Sequence, residues 1–465
     1  MSNENPNNLG QLSRRGFIAA MGAATAWALT GCTSVPGTAV DNLPRKQGCY
    51  KALFGVMPDG TKVYQYTLTN AHGMVVQLLS YGARVQRIRV PDGRGNIGDV
   101  ALGYTSLPAY LAADDPYFGA TIGRYANRIA NGTFTLEGKT YHVPLNDGPR
   151  HNALHGGPNA FDRQVWTGKV KSQLGQPAVR FRLVSPPMAN GFPGMLAVDV
   201  DYVLTEQNEL LVDLRAVASK TTVVNLTNHT YFNLAGPGHD ILDHVLTLNA
   251  NHYTPVNRDL IPTGQILPVA GTPFDFRQPV RLGSRIQAPA AVAATKHTLA
   301  PAKAAPATHP GRSMAVAKAH HPAVIAPNLD QPPYGYDNNW CVNKHDQVKP
   351  APAASPMDSV LLKGLVLAAR LQEPATGRIL ECLTTQPGLQ VYTGNFLNGS
   401  LHGIGGAYPC HGGITLETQH YPDSVNHPNF PSTVLKSLKD GGAFYQRTMY
   451  RFRTLLPRLH HPSHW

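Results

Sequence analysis

The chain has 465 residues, of which 42% are hydrophobic, and its 44 glycines and 39 prolines favour a large, turn-rich fold over a mostly helical one. No internal apolar run reaches the ~18 residues of a membrane span, and five cysteines without a Cys-x-x-Cys pair exclude both a disulfide-dense scaffold and that type of metal or redox motif. The net charge of +12 is typical of nucleic-acid-binding proteins, but no dense Lys/Arg cluster with interleaved aromatic residues accompanies it, so we predict no nucleic-acid partner.

The N-terminal segment has the pattern of an export signal. The pair Arg14-Arg15 precedes a short, mildly apolar run from Ala19 to Leu29, which is typical of the twin-arginine route. The run is too short and too rich in Ala and Gly for a stable membrane span. Residues 1–31 are therefore predicted to be a signal peptide.

The end of that run also predicts a lipid anchor. Leu29-Thr30-Gly31-Cys32 resembles a bacterial lipobox, in which the cysteine is acylated and becomes the first mature residue. The alternative is an ordinary signal peptide with Cys32 incidental. In a Gram-negative host, Thr33 rather than Asp after the cysteine favours the outer membrane. We therefore expect an exported protein, periplasmic or membrane-anchored, with residues 32–47 as a tether.

The body of the chain is predicted to consist of antiparallel strands. Short runs rich in β-branched and aromatic residues alternate with turn residues, and few segments keep a helical period. This spacing is typical of a β-sandwich or barrel. The clearest predicted strands are residues 63–68 and 74–81, a hairpin over 134–141 with Glu137-Gly138 at its tip, and the pairs 198–204 with 210–217 and 361–371 with 379–385.

Two stretches interrupt this pattern. Residues 287–326 are rich in Ala, Pro, Lys and His and have too little to bury, so we predict disorder, and residues 344–359 resemble a shorter inserted loop. The irregular spacing of the histidines in the first stretch, without partner cysteines or acids, argues against a metal site there. They are His297, His309, His320 and His321.

Chemically distinctive residues are concentrated in five separated segments. Taken alone, each has an ordinary structural explanation, and a histidine such as His229 is more often a hydrogen-bonded structural residue than a catalyst. The carboxylate of Glu417, however, lies on a strand pattern next to Leu416, where a buried acid has to be paired or chemically active. The segments are residues 123–132 (GRYANRIANG), 154–157 (LHGG), 223–234 (VVNLTNHTYFNL), 335–340 (GYDNNW) with 384–395 (TTQPGLQVYTGN), and 413–423 (GITLETQHYPD).

In this order the segments resemble the aldose 1-epimerase (galactose mutarotase) family, over nearly all of residues 50–455 apart from the two inserts. The resemblance implies a large antiparallel β-sandwich, the supersandwich of that family, with an open sugar cleft. It implies interconversion of the α and β anomers of free hexoses such as galactose and glucose. The substrate partner would be a monosaccharide, with neither metal nor organic cofactor, whereas the oligomeric state is left open.

The resemblance also implies a role for each matching residue. Glu417 would be the base that takes the proton from the C1 hydroxyl, His229 the acid that protonates the ring oxygen, and His155 a second histidine beside that oxygen. A base and an acid on opposite sides of the ring are what anomer exchange needs. The implied sugar contacts are Asn127, Arg128, Tyr231, Asp337 and Gln390, together with the two histidines.

Three departures from the family pattern leave these residues intact: Asn338 where His is common, Trp340 for a more usual Phe, and Ser424 for Ala. Three other functions fit the sequence less well than the epimerase. A non-catalytic carbohydrate-binding lipoprotein would not need both Glu417 and His229. A polysaccharide lyase or hydrolase would need a further catalytic group that no segment supplies, and a phosphosugar epimerase fits poorly with export.

Changing Cys32→Ala is predicted to release the protein from the membrane fraction, because acyl chains dominate the attachment of an otherwise water-soluble domain. Fractionation of cells that express either form, followed by immunoblotting, measures this. Cys49→Ala is the matched control and is expected to leave fractionation unchanged. Membrane attachment of the Cys32 variant at the wild-type level would contradict the lipobox interpretation.

Overall fold

The computed structural model describes residues 47–112, 115–286, 335–345 and 361–455. The predicted signal peptide (1–31), Cys32 and the tether up to residue 46 lie outside these residues, as does the whole stretch 287–326. Of the second predicted insert, only Lys344 and His345 are described. Within the described ranges, no helix combines the length and apolar character needed to cross a bilayer.

Three antiparallel sheets dominate the fold, which confirms the predicted all-β class. The large sheet has nine strands, in spatial order Thr167–Gln173, Gln176–Ser185, Leu196–Leu204, Glu209–Ala218, Phe444–Thr454, Arg378–Thr384, Val366–Gln372, Val245–Leu248 and Val280–Arg281. The site sheet has six, in the order Tyr231–Phe232, Ile414–Gln419, Gly388–Tyr392, Asp337–Val342, Ala250–Thr254 and Leu267–Pro268. The N-terminal sheet has five, Gly48–Val56, Lys62–Thr69, Val75–Leu79, Arg84–Pro91 and Ile97–Asp99.

Short elements complete the described chain. The two-stranded pairs are Arg128–Ile129 with Ala153–Leu154, Thr121–Ile122 with Thr227–Asn228, Thr133–Leu136 with Lys139–His142, Thr222–Val223 with Val434–Leu435, and His402–Gly403 with Gly406–Ala407. The α-helices are the single turns Leu107–Leu111 and Gly283–Ile286. The 3₁₀ turns are Ala130–Gly132, Gly148–Arg150, Phe161–Arg163, Ala189–Gly191, Ser424–Asn426 and Leu438–Asp440.

Most predicted strands are found within one or two residues of their predicted bounds. The hairpin turns at Glu137 and Gly138, both with positive φ, as a two-residue turn requires. One prediction is wrong in part, because the strand expected to begin at residue 361 begins at Val366. The preceding leucines bury their side chains in a small separate cluster with Leu383 and Met449, so their apolar character reflects packing and not strand pairing.

One apolar cluster joins the three sheets and forms the core. The strands contribute alternate side chains to it, as the period of two along a strand requires. In the site sheet, Leu416 and Leu389 face this core. The residue next to each of them along its strand therefore faces the opposite side of the sheet. From the large sheet come Val198, Val200, Val212 and Leu214, and from the N-terminal sheet Leu68, Val76, Leu78 and Ile88.

Arginines cover acidic residues on the outer face of the large sheet. Cross-strand register puts Arg180 opposite Asp201, and Asp201 opposite Asp213. Asp213 in turn accepts hydrogen bonds from Arg447 at 2.6 and 2.7 Å. Opposite charges facing one another across strands stabilise the pairing. This face of the large sheet is therefore covered by ion pairs.

The loop of residues 115–120, here called the Tyr117 loop, connects the core to the site. Arg84 is fully buried beneath it and donates hydrogen bonds to Asp115 Oδ2 at 2.8 Å and to the Phe118 carbonyl at 3.2 Å. At the end of the loop, Gly119 N–H donates to the His229 carbonyl at 3.0 Å, and His229 N–H donates to the Ala120 carbonyl at 2.9 Å. The loop is thus fixed to the segment that carries a candidate acid.

Gly119→Ala is predicted to destabilise the protein far more than Gly138→Ala. Both glycines have positive φ, +66° and +75°, which costs an alanine about 1–2 kcal/mol. A Cβ at Gly119 would lie 1.7 Å from the Val85 carbonyl oxygen, whereas a Cβ at Gly138 would meet nothing within 4 Å. We expect a total loss of about 3 kcal/mol or more for the first variant, because steric overlap adds to the backbone cost.

Denaturant unfolding of both variants against the wild type measures the difference. Equal losses of stability in the two variants would contradict the close packing described for the Tyr117 loop.

Candidate active site

Short backbone pairings bring the first two predicted segments together. Arg128–Ile129 pairs with Ala153–Leu154, with Arg128 opposite Leu154, so Asn127 and His155 lie side by side. The His155 N–H donates to the Asn127 carbonyl at 2.9 Å, and the Asn127 N–H donates to His155 Nδ1 at 3.2 Å. Both residues have positive φ, which turns the chain sharply at this point.

The site sheet brings the remaining segments to the same place. Tyr231 pairs with Thr415, and Gln390 lies opposite Glu417 on the next strand. His229 Nε2 consequently lies 3.5 Å from Glu417 Oε1. This is too close for a sugar ring to lie between the two groups, so the expectation that they stand on opposite sides of the ring is wrong. The ligand atoms of His155, His229 and Glu417 all lie within 4.8 Å of one another, so the structure brings the three predicted catalytic side chains together.

Glu417 is a buried carboxylate with one oxygen in use. Its Oε1 accepts a hydrogen bond from Thr415 Oγ1 at 2.9 Å and faces His229, while its Oε2 has no hydrogen-bond partner among the described residues. Burial raises the pKa of Glu417 to about 8, and the negative charge of Asp337 adds to this effect. The raised pKa favours the protonated form of Glu417 at neutral pH in the sugar-free protein.

Both histidines are neutral at the same pH. Burial lowers the pKa of His229 to about 4. Burial also lowers the pKa of His155 well below its ordinary value, with the neighbouring His229 and Arg128 adding to the effect. The Glu417–His229 pair therefore carries one exchangeable proton between about pH 4 and about pH 8.

The hydrogen bond to His155 decides which of its nitrogens bears the proton. Because Nδ1 accepts the Asn127 N–H, the neutral ring carries its proton on Nε2 and is a donor there. A metal ion would instead need a lone pair on that nitrogen. The three donor groups lie close enough for a metal, but this tautomer suits hydrogen bonding and proton transfer better than metal binding.

Four of the predicted sugar contacts form one hydrogen-bonding wall beside the Glu417–His229 pair. Gln390 Nε2 donates to Asp337 Oδ1 at 2.7 Å, and Arg128 Nη1 lies 3.7 Å from Asp337 Oδ2. Asn127 Oδ1 accepts from the Arg128 N–H at 2.9 Å, which ties the fourth member to the wall. Gln390 Oε1 is buried and has no partner in the described part of the chain. The wall thus offers planar donors and acceptors suited to hydroxyl groups.

Tyr231 lies in the site, but its hydroxyl is already engaged. The hydroxyl donates to the Pro116 carbonyl at 3.1 Å, and the ring lies 5.2 Å from the His229 ring. Asn228, which precedes His229 in the sequence, donates through its amide nitrogen to the Gly119 carbonyl and to the Tyr202 hydroxyl. Contact between Tyr231 and a sugar stays a prediction, whereas packing against His229 is what the geometry describes.

The sequence prediction missed three residues that hold these groups. Thr415 could have been found, because it lies two residues before Glu417 and so on the same face of the strand. Asp147 accepts from Arg128 Nε at 2.8 Å, but its turn sequence gave no signal. Tyr117 lies against both histidines and comes from a loop whose conformation no pattern indicated.

The three departures from the family pattern have hydrogen-bond partners of their own, and one of them, Asn338, contacts the wall residue Asp337. Trp340 is buried and donates through Nε1 to the Phe274 carbonyl at 2.9 Å. Asn338 is buried one position along the strand from Asp337, and its Oδ1 accepts from the Asp337 N–H at 3.3 Å. Ser424 Oγ donates to the Tyr421 carbonyl at 2.7 Å within its own turn. Each substitution therefore fills a structural position.

Comparison with known proteins shows which family the chain resembles. The family model described as aldose 1-epimerase matches residues 64–441. The galactose mutarotase of Mus musculus is 40% identical over 404 residues, which cover 86% of this chain and 98% of that protein. The aldose 1-epimerase of Escherichia coli K12 is 33% identical over 395 residues, covering 85% and 96%.

Solved structures resemble the fold as well. Galactose 1-epimerase from Lactobacillus acidophilus matches with a TM-score of 0.65 and 25% identity, over 88% of this chain and 99% of that one. A galactose mutarotase/aldose epimerase homologue from C. elegans matches with a TM-score of 0.63 and 25% identity, over 84% and 98%. The family model and these relatives together show that the chain belongs to the aldose 1-epimerase family.

Proposed function

We propose that this protein interconverts the α and β anomers of free aldohexoses, galactose and glucose among them, by acid–base opening and closing of the sugar ring. The observation that carries the proposal is the buried Glu417–His229 pair, whose facing atoms are 3.5 Å apart beside a wall of hydroxyl-binding groups. Family membership supports the reaction, and this pair supports its mechanism in this chain.

The reaction moves two protons. A base removes the proton from O1, an acid delivers a proton to O5, and the bond between C1 and O5 breaks to give an open aldehyde. Rotation about the C1–C2 bond and closure from the other face complete the exchange, after which the proton transfers run in reverse. No group is consumed, so a pair that shares one proton is sufficient for the whole cycle.

Glu417 and His229 can meet this need because their proton has two positions. In the sugar-free protein it lies on Glu417, since burial favours the neutral form of both groups. Transfer toward His229 gives a carboxylate and an imidazolium, which are the base and the acid that the reaction requires. The positive charge of Arg128 favours this second form, because it stabilises the carboxylate. Glu417 Oε2 is the oxygen left free to accept the O1 proton.

The wall residues are assigned to binding, and His155 to both binding and catalysis. His155 donates through Nε2 beside the ring oxygen, and the wall of Asn127, Arg128, Asp337 and Gln390 holds the sugar hydroxyls. The amide and guanidinium groups are planar and already fixed by hydrogen bonds, so little conformational entropy is lost on binding. A carbohydrate-binding protein without catalysis would gain nothing from a buried carboxylate whose oxygen is left unpaired.

The cellular location is also a proposal, supported by the sequence pattern alone. The pair Arg14-Arg15 and the lipobox ending at Cys32 are consistent with export and lipid anchoring, outer membrane included. The inserts 287–326 and 344–359 flank the strand Asp337–Val342, which carries Asp337. We propose that they influence access to the sugar wall.

Polarimetry of freshly dissolved α-D-galactose and α-D-glucose with the purified mature domain tests the function. The rotation is expected to reach its equilibrium value faster than in buffer, at a rate proportional to enzyme concentration. Buffer-level rates for every aldose tested would reject the proposal.

Glu417→Gln and His229→Asn are each predicted to lower kcat by roughly 10²–10⁴-fold. Gln cannot accept the O1 proton, and Asn cannot deliver one to O5, although both keep hydrogen-bonding shape. KM should change far less, because the sugar wall stays in place. The double variant should be worse than either single variant by much less than the product of the two effects, since both groups serve one proton transfer.

Glu381→Gln, on the large sheet beside Arg451, and His402→Asn, on an exposed hairpin, are the matched controls and should keep the wild-type kcat. Circular dichroism checks that all variants fold. A Glu417→Gln variant with the wild-type rate would show that the base is elsewhere.

The pH dependence of kcat/KM is predicted to be bell-shaped, with limbs displaced from the ordinary values of the two groups. Activity should rise as pH passes about 4, where the pair goes from two protons to one. It should fall above about 8, where the pair loses its remaining proton. Initial rates corrected for buffer catalysis measure this. A single limb near the ordinary histidine pKa of ~6.5 would be the opposing result.

A further inference from the structure

Tyr117 lies against both candidate catalytic histidines. Its ring centroid is 4.6 Å from that of His155 at an interplanar angle of 67°, and 5.8 Å from that of His229 at 44°. The two imidazoles are themselves 5.1 Å apart and perpendicular. The three rings thus contact one another in a triangle, and the two edge-to-face contacts, both made by His155, favour particular ring orientations.

The backbone of Tyr117 has a conformation that a tyrosine rarely adopts. Its φ is +66°, in the left-handed region, which costs a bulky residue about 1–2 kcal/mol. Such a residue keeps this conformation only where the surroundings impose it. Here the consequence is that the side chain at the apex of the loop turns toward the histidines.

The surroundings that impose it are anchors on both sides of Tyr117. Before it, Asp115 is paired with the buried Arg84 at 2.8 Å, and the Pro116 carbonyl accepts the Tyr231 hydroxyl at 3.1 Å. After it, the Phe118 carbonyl accepts from Arg84 at 3.2 Å, and Gly119 pairs with the backbone of His229. The ring is therefore fixed relative to His229 by the fold itself.

Resting on the proposed epimerase function, we infer that Tyr117 is a positioning residue whose ring fixes the orientation of His155 and His229 and keeps water away from them. The ring, and not the hydroxyl, performs this role. Burial raises the pKa of the Tyr117 phenol above its ordinary value, so the hydroxyl stays protonated and is no base. Without the ring, the imidazoles would gain rotational freedom and solvent.

The test uses four variants with the full exported domain. Tyr117→Phe keeps the ring, Tyr117→Leu removes it, and Tyr117→Asn removes it while tolerating positive φ, so that one ring-less variant should fold. Tyr141→Leu is the matched control, because Tyr141 is also half-buried and packs on a neighbouring ring, Phe134, at 5.4 Å. The readouts are kcat, KM, the pH profile, and the titration of the histidine ring nitrogens by NMR.

We expect Tyr117→Leu and Tyr117→Asn to lower kcat by roughly 10–100-fold with KM changed by less than about threefold, since misplaced catalytic groups mainly affect the chemical step. The acid limb of the profile and the His229 titration should move upward from about pH 4, because water reaches the ring. Tyr117→Phe should stay within about threefold of wild type in kcat. Tyr141→Leu should match the wild type in every readout.

Several results would overturn the inference. Wild-type kcat and an unmoved His229 titration in the ring-less variants would remove it, and equal impairment of Tyr117→Phe would assign the effect to the hydroxyl. An effect on KM alone would make Tyr117 a sugar contact, and failure of both ring-less variants to fold while Tyr141→Leu folds would make it structural. A wild type without mutarotation would reject the proposed function instead, and the NMR titration would still test the positioning role.

Discussion

The removal of Glu417 and His229 from water is the constraint on which the site depends. In solution a carboxylic acid and an imidazole would each hold the charge set by its ordinary pKa. Buried 3.5 Å apart, both favour their neutral forms, so the pKa of Glu417 rises and that of His229 falls. The result is a pair that keeps one mobile proton over a wide pH range, which is the property that ring opening and closing requires.

The fold buries Glu417 and His229 together by joining segments that are distant in the sequence through strand pairings only two residues long. Two-residue strands align Asn127 with His155 and Tyr231 with Thr415, while the nine-stranded sheet supplies a rigid base without contributing to the predicted site. The cost is local. Asn127, His155 and Tyr117 all have positive φ, and backbone strain of this kind is typical of functional sites.

Much of the fold could be predicted because it follows from local patterns. Alternation located most strands, and a carboxylate on a half-buried strand directed attention to Glu417. The strand predicted before Val366 is absent, because periodicity cannot distinguish a strand from an apolar turn that packs in its own cluster. Tyr117 was missed because nothing in the sequence signals a left-handed tyrosine, and the Pro116 partner of the Tyr231 hydroxyl is a purely tertiary contact.

The position of the shared proton is the central claim, and infrared difference spectroscopy of the sugar-free protein reads it directly. Subtracting the spectrum of Glu417→Gln from that of the wild type isolates the carboxyl group of Glu417. We predict a protonated carboxylic acid band at about pH 6 that converts to a carboxylate band as the pH passes about 8. A carboxylate band already present at about pH 6 would contradict the account, because the shared proton of the sugar-free protein would then not lie on Glu417.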